Sequence, residues 1–312
     1  MRRHACLALS CLSVALGCGE HPSAASDSGL PKDSAAPDGT TDAAPPSDSG
    51  TTFCDPAATW GNNQLVAAST AQSDLLGAVT GDELTIAWMT AQGTVMYADR
   101  QSATSPFGAP QTLSGAIALD EVALSGDGLT LIVVLQDRSA LAQTTRASRS
   151  AAFSSTLDAA PFAQLDPQPT ETDASASQGL FADPVLSSDG QMLYYSQYGV
   201  STYTMHESYG PSAGVWPQGR SLVEKSFVAA SLSARMRPTG LSADQRALFY
   251  WDEAANIERV AFRDGVQPTN DTYTTFADVG AYQYAVPTSS CARLYFSASG
   301  SGGLDLYYAD KQ

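Results

Sequence analysis

Leu186-Ser187-Ser188-Asp189-Gly190, followed after Gln191 by the apolar run Met192-Leu193-Tyr194-Tyr195, is the stretch on which the fold turns. Asp and Gly side by side make a tight reversal, because Gly takes positive φ freely and the Asp carboxylate bonds its own backbone. The run behind the turn is apolar at consecutive positions, not alternate ones. A short strand of that kind is buried on both faces, as in a sheet stacked between other sheets.

The same phrase recurs in both directions along the chain. Leu124-Ser125-Gly126-Asp127-Gly128 precedes an apolar run over 129–135, and Leu241-Ser242-Ala243-Asp244-Gln245 precedes Ala247-Leu248-Phe249-Tyr250-Trp251. Two degenerate copies flank these: Val79 to Asp82 ahead of residues 84–88, and Pro287 to Cys291 ahead of Leu294-Tyr295-Phe296. A further strand with a recurrent ending follows each run, over 95–100, 140–146, 203–208, 257–263 and 306–310. A fourth begins near an aromatic, as in Phe107-Gly108-Ala109-Pro110, at Phe153 and in Val215-Trp216-Pro217. No segment holds a sustained 3.6-residue period, so the chain from residue 53 onward reads as all-β and built of repeats.

These units resemble the TolB-like, WD-repeat-like β-propeller repeat over residues 77–310, although Pro is missing before Asp in every copy. The resemblance implies a propeller of five blades, each of four antiparallel strands, with six blades as the alternative. The fifth unit has only three strands before the chain stops at Gln312. Phe53-Cys54-Asp55-Pro56 matches Phe107-Gly108-Ala109-Pro110, so residues 53–60 are expected to supply the missing outer strand and close the ring. The turn copies step by 45, 62, 55 and 47 residues from Asp82 through Asp127, Asp189 and Asp244 to Cys291. The longest step contains the polar stretch 166–178, read as a surface loop.

The N-terminus sets the address. Arg2 and Arg3 precede an uncharged apolar stretch over residues 5–16, too short to span a bilayer as a helix, so it reads as a signal peptide. It ends Val14-Ala15-Leu16-Gly17-Cys18, which resembles the lipobox of bacterial lipoproteins and implies acylation of Cys18, despite Ala15 where Leu is usual. Cys11 is a poorer rival, and an ordinary secretory cleavage near residue 25 is the alternative. The expected division is a signal peptide over 1–17, a lipidated Cys18 with a Ser/Asp/Ala/Pro-rich tether over 18–52, and a propeller over 53–312. Gly19 after the Cys resembles the arrangement sent to the outer membrane, giving a lipid-anchored envelope protein, periplasmic or surface-facing. After Cys6, Cys11 and Cys18 are accounted for, Cys54 and Cys291 remain, and two thiols in an oxidising compartment are expected to pair across the closing blade.

Charge and motifs exclude several chemistries. The formal charge of −16 becomes −18 once Arg2 and Arg3 leave, and the remaining Lys and Arg form no run, which argues against nucleic acid and against anionic lipid as a docking surface. His21 lies in the tether and His206 in an expected strand, read as a surface or rim residue, and no Gly-x-Ser-x-Gly is present. Zinc sites of His and Cys fail on count. Asp120, Glu121, Asp183 and Asp252 fall near strand ends and are the candidates for paired-carboxylate hydrolysis. Asp127 and Asp189 are conceivable calcium ligands but are fully explained by the hairpin turn, and Gly300-Ser301-Gly302-Gly303 reads as a hairpin loop, not a phosphate loop. Of the strand aromatics, Tyr198 and Tyr203 are the ones placed to reach a rim.

The expectation is therefore a non-enzymatic, cofactor-free, metal-free binding or scaffold protein for a protein, peptide or glycan at one propeller mouth. Its rival is a propeller carbohydrate hydrolase. The membrane link is expected through the N-terminal lipid alone. Stable residence requires more than one acyl chain, as lipoprotein processing supplies. Cys18→Ser should move the protein from the detergent phase to the soluble fraction on phase separation, and unchanged partition would refute the anchor.

Overall fold

The computed structural model describes residues 54–113, 121–165, 180–198, 203–212, 214–222, 236–263, 273–300 and 303–312. The expected signal peptide, Cys18, the tether, His21, Asp120 and the stretch 166–178 lie outside them, as do the side chains of Tyr198 and Tyr203.

The chain folds as a five-bladed β-propeller of antiparallel sheets. Strand β1 (Trp60–Leu65) comes first, and blade one follows with β2 (Asp74–Val79), β3 (Thr85–Thr90), β4 (Val95–Asp99) and β5 (Gln111–Thr112). Blade two holds β6 (Val122–Leu124), β7 (Thr130–Val134) and β8 (Leu141–Thr145). Blade three holds β9 (Leu180–Leu186), β10 (Met192–Tyr198), β11 (Tyr203–Tyr209) and β12 (Arg220–Ser221). Blade four holds β13 (Met236–Leu241), β14 (Ala247–Asp252), β15 (Ile257–Arg263) and β16 (Tyr273–Gly280). Blade five holds β17 (Gln283–Pro287), β18 (Arg293–Ser299) and β19 (Leu304–Lys311), and takes β1 as its outer strand.

The second strand of each blade feeds two cores. Phe249 of β14 packs toward blade five with Trp60, Leu294 and Phe296, while its neighbours Leu248 and Tyr250 pack toward blade three with Met192 and Tyr194. Leu131 and Val133 of β7 face blade one, and Ile132 and Val134 face blade three. Alternate residues of a strand point to opposite faces. Each interior face meets another blade, so consecutive apolar residues are what the site requires.

All five turns share one set of hydrogen bonds. Thr80, Ser125, Ser187, Ser242 and Thr288 each donate their backbone N–H to the carbonyl five residues on, and their hydroxyl oxygens accept that residue's N–H. The residue after the acid takes positive φ in every copy: Glu83 at 61°, Gly128 at 70°, Gly190 at 69°, Gln245 at 60° and Cys291 at 50°. Asp82, Asp127, Asp189 and Asp244 accept the N–H two residues on, and in the fifth copy the Ser290 hydroxyl does so for Ala292. The fifth turn is therefore centred on Ser290, with Cys291 standing where Gly128 and Gly190 stand.

Two expectations need correction. The closing strand is Trp60–Leu65, not 53–60: β1 pairs with β19 from Trp60↔Lys311 to Leu65↔Tyr307. The residues ahead of it form a turn instead, with Ala58 N–H bonded to the Asp55 carbonyl, and Pro56 has no N–H to give a ladder. In the matched copy too the outer strand starts after the proline, with β5 beginning at Gln111, directly behind Pro110. In blade two, the fourth strand shrinks to a single bridge, Gln143↔Asp158, before the 3-10 turn Ala160–Phe162 with Pro161 inside it.

Cys54 and Cys291 are joined, with Cα atoms 5.3 Å apart and a sequence separation of 237. Both belong to blade five and both are buried beside Trp60 and Phe249. Closing so long a loop restricts the unfolded chain by about 5 kcal/mol in the chain-entropy account. Cys54→Ser should lower stability by about 2–5 kcal/mol in oxidising buffer, and the difference from the parent should vanish under reductant, as read by denaturant unfolding. Deleting residues 60–65 should open or unfold the domain, and a cooperative transition unchanged by that deletion would refute the closure.

Candidate functional site

The inner strands β2, β6, β9, β13 and β17 stand next to one another around the channel. Residues six positions ahead of the turn acid (Ser290 in blade five) are Leu76, Glu121, Asp183, Pro238 and Tyr284. The ladders carry bulges around this level in four blades, between Leu76 and Ala78, opposite Tyr194/Ser196, between Pro238 and Gly240, and between Gln283 and Val286. Asp183 and Tyr284 take positive φ, 49° and 56°. A bulge re-aims its side chain away from the regular pleat, at a cost of order 1–3 kcal/mol for a non-glycine residue in that conformation. Here it gathers polar groups from separate blades.

Arg237, one residue ahead of the equivalent position in blade four, ties them together. Its Nε donates to both carboxylate oxygens of Asp183, at 2.8 and 2.9 Å, and Nη2 donates to Asp183 Oδ1 at 2.6 Å and to Glu121. Nη1 reaches Tyr284 Oη at 3.1 Å and Glu253 at 3.4 Å. The Asp183 N–H donates to the other oxygen of Glu121. Four blades are thus joined through one guanidinium. Burial, and then the neighbouring Asp183 carboxylate, push the Glu121 carboxyl up to about 8. Burial works against the Arg237 charge, but Asp183 and Glu121 outweigh it and raise its pKa above the ordinary value. Burial pushes the Tyr284 phenol up to about 12.

A cavity of about 220 Å³ opens at this mouth, lined on its charged side by Glu121, Arg138, Arg237 and Tyr284 and on its apolar side by Leu75, Leu76 and Met89. Toward the opposite end, where the turns converge, a cavity of about 50 Å³ is lined by small and apolar residues such as Gly77, Ala123 and Pro184. The two mouths therefore differ in chemistry.

Of the four candidate carboxylates, Glu121 and Asp183 meet here, with Asp183 inside β9 and not ahead of it as expected. Asp252 does not join them. It ends β14, accepts the N–H groups of Ala254 and Ala255, and pairs with Arg259 at 2.6 Å, so it holds the β14–β15 turn. Arg237, Glu253 and Tyr284 were not foreseen. The signal for Arg237 was a charged residue inside a strand that should line the channel.

His206 is a second correction. It is buried in β11, stacked on Tyr195 with ring centroids 5.3 Å apart, and neither ring nitrogen has a partner among the described residues. Burial lowers its pKa to about 4, so it is a neutral core residue, not a rim group. It lies across the strand pair from Tyr195, on the face that packs against blade two. Asp127 and Asp189 are held in their turns: burial opposes ionisation, but the Ser125 and Ser187 hydroxyls and the following N–H groups keep both carboxyls below the usual range. Gly300 and Gly303 close the β18–β19 hairpin through a backbone bond of 2.7 Å. Among the described residues, no three His, Cys, Asp or Glu side chains are grouped to hold a metal ion.

No family model and no curated protein matches the sequence. Solved structures with a similar fold include an Agrobacterium tumefaciens protein described as a TolB (13% identity, TM-score 0.43, covering 73% of this chain and 70% of that one). A TolB from Acinetobacter baumannii has 9% identity and a TM-score of 0.40 over 77% of this chain and 55% of its own. A gluconolactonase from Xanthomonas campestris has 9% identity and a TM-score of 0.44 over 82% of this chain and 97% of its own. Identities of this size carry nothing about activity.

The Glu121 shift predicts a pH dependence. A carboxyl whose pKa rises from 4.5 to about 8 on folding favours the protonated protein, so its contribution is present below pH 4.5 and lost as pH rises through 8. His206 acts in the opposite sense, between 6.5 and about 4, which leaves the interval from pH 7 to 8 to Glu121. Glu121→Gln should reduce the loss of stability between pH 5 and 8 by about 1–3 kcal/mol, read from denaturant midpoints across pH. Parallel curves for the two proteins would refute the assignment.

Proposed function

We propose that this protein is a lipid-anchored propeller of the cell envelope that binds a protein, peptide or glycan, without catalysis, at the Arg237 mouth. The observation that carries this reading is that Arg237 sits between Glu121 and Asp183. A hydrolytic pair must flank a scissile bond, with carboxyl groups about 5–9 Å apart and substrate between them. Here one guanidinium nitrogen bonds both carboxylates, so the intervening space is taken by the protein's own cation. The carboxylates hold Arg237, and what the mouth displays is a phenol, a guanidinium, Arg138 and an apolar rim.

Size supports a large partner touching the mouth, in preference to a small molecule swallowed by it. The cavity of about 220 Å³ is smaller than the roughly 300–1,000 Å³ of pockets that enclose small ligands. A side chain or one sugar unit of a larger partner fits that space. The lipid anchor at Cys18 would keep the domain at the envelope, with residues 19–52 as the spacer.

The test is capture from envelope extract by residues 52–312, comparing the parent with Leu75→Glu and Arg138→Glu. Both changes alter the mouth and leave the bonds of Arg237 to Asp183 and Glu121 in place. Loss of the captured partner in both variants, with an unchanged thermal midpoint, is the expected result. Undiminished capture would refute this mouth as the site. Glycan hydrolysis that disappears in Glu121→Gln would establish the hydrolase in its place.

A further inference from the structure

We propose that the cavity at the seam between blades five and one binds a small carboxylate carrying a ring. Where blade two meets blade one, two arginines cross: Arg149 reaches Asp82 at 2.6 Å, and Arg146 lies over Phe153, with its guanidinium carbon 4.5 Å from the ring centroid, and reaches Asp99 at 2.6 Å and Thr85 Oγ1 at 3.1 Å. At the seam, Arg100 repeats this arrangement, 4.4 Å over Phe107 and bonded to Glu83 at 2.7 Å and to Tyr295 of blade five at 2.9 Å. The position five residues after the turn hydroxyl, Thr85 in blade one, is Arg293 in blade five. A second guanidinium therefore enters the same junction, 4.3 Å over the Tyr308 ring and bonded to Glu83 at 2.9 Å and Asp310 at 2.8 Å.

A cavity of about 450 Å³ lies in front of this pair, within the roughly 300–1,000 Å³ range of small-ligand sites. The charged side chains in its lining are Arg100 and Arg293; Glu83 and Asp310, which balance them, are not part of it. The Arg293 side chain keeps 23% of its surface exposed, whereas Arg100 keeps 6%. One wall adds Thr104 and Ser105. The other adds Leu65, 57% exposed and a large apolar side chain left open to solvent beside the closing strand. Planar guanidinium groups match a carboxylate in a bidentate fashion, and the apolar Leu65 suits a ring beside Tyr308, one face of which Arg293 covers. In a chain of charge −16, two arginines line one cavity whose own lining carries no acid, so an anion there would meet both guanidinium groups.

The full chain would be titrated calorimetrically with glucuronate, with phenylacetate and with inorganic phosphate. Saturable binding of one or both ring carboxylates, at least about tenfold tighter than phosphate, is expected, since phosphate shares the charge but lacks the ring, whose burial is worth about that factor. Glucuronate binding more tightly identifies an acidic saccharide as the source, and phenylacetate binding more tightly identifies an aromatic acid. Arg293→Gln removes the exposed charge, and Thr104→Trp fills the cavity from an exposed loop while both arginines are retained. Each should weaken binding by at least about tenfold, with Arg293→Lys retaining part of it. Absence of saturable binding by both ring carboxylates, phosphate binding as tightly as they do, or affinity undiminished in Thr104→Trp would overturn the proposal.

Discussion

Everything in this fold depends on covering both faces of the second strand in each blade. A blade alone would leave Phe249 or Leu248, Ile132 or Leu131, open to water, and fully burying one such side chain stabilises by about 1.5–3 kcal/mol. No blade can satisfy that requirement by itself, and a row of blades would still leave two open ends. The ring must close. It does so with a strand taken from the start of the domain, so that β1 and β19, the first and last strands, become neighbours in one sheet. The Gln312 N–H bonded to the Thr59 carbonyl and the Cys54–Cys291 bridge act on the same junction.

The turns and the arginines translate that closure into register. Each turn fixes where its second strand begins, because a Ser or Thr hydroxyl accepts the first strand N–H. Cys291 shows how far the pattern tolerates substitution. It occupies the left-handed position that Gly fills in blades two and three, which costs a non-glycine residue about 1–2 kcal/mol, and the bridge to Cys54 offsets that cost. Arginines at the ends of the third strands then reach into the preceding blade: Arg146 to Asp99, Arg263 to Tyr209, and Arg100 to Tyr295. Each also donates Nε to the carbonyl of its own turn, at Gly128, Gln245 and Glu83. One side chain thereby couples the turn of its own blade to the neighbouring blade.

This division explains what could be read from the sequence. The turn phrase and the apolar run lie within ten residues of one another, so the starts of the second and third strands were legible to within two residues. The outer strands were not, because they carry few apolar residues and start behind Pro56 and Pro110, neither of which has an N–H to give a ladder. His206 was misread for a related reason: its strand is polar, Thr204-Met205-His206-Glu207-Ser208, yet the blade buries it between sheets. The charged mouth was half legible. Glu121 and Asp183 shared a spacing from the turn, but Arg237 stands one residue off that register and belongs to a blade whose equivalent position is a proline.

That one-residue offset bears on what the mouth can do. At the level of Asp183 and Tyr284 the inner strands are bulged, so those side chains owe little to the ladder, whereas Glu121 stands beside a regular one. The repeat fixes the scaffold, and the asymmetry is confined to this level, where Leu76 and Pro238 stand opposite two acids and a phenol. Two carboxylates converging in a partly dry channel would repel one another and favour protonation. Arg237 offsets part of that repulsion by bonding both, yet the Glu121 carboxyl stays well above the usual carboxylate range. At this mouth the carboxylates are already paired with a cation of the protein itself, so a partner meeting it would not have to neutralise them.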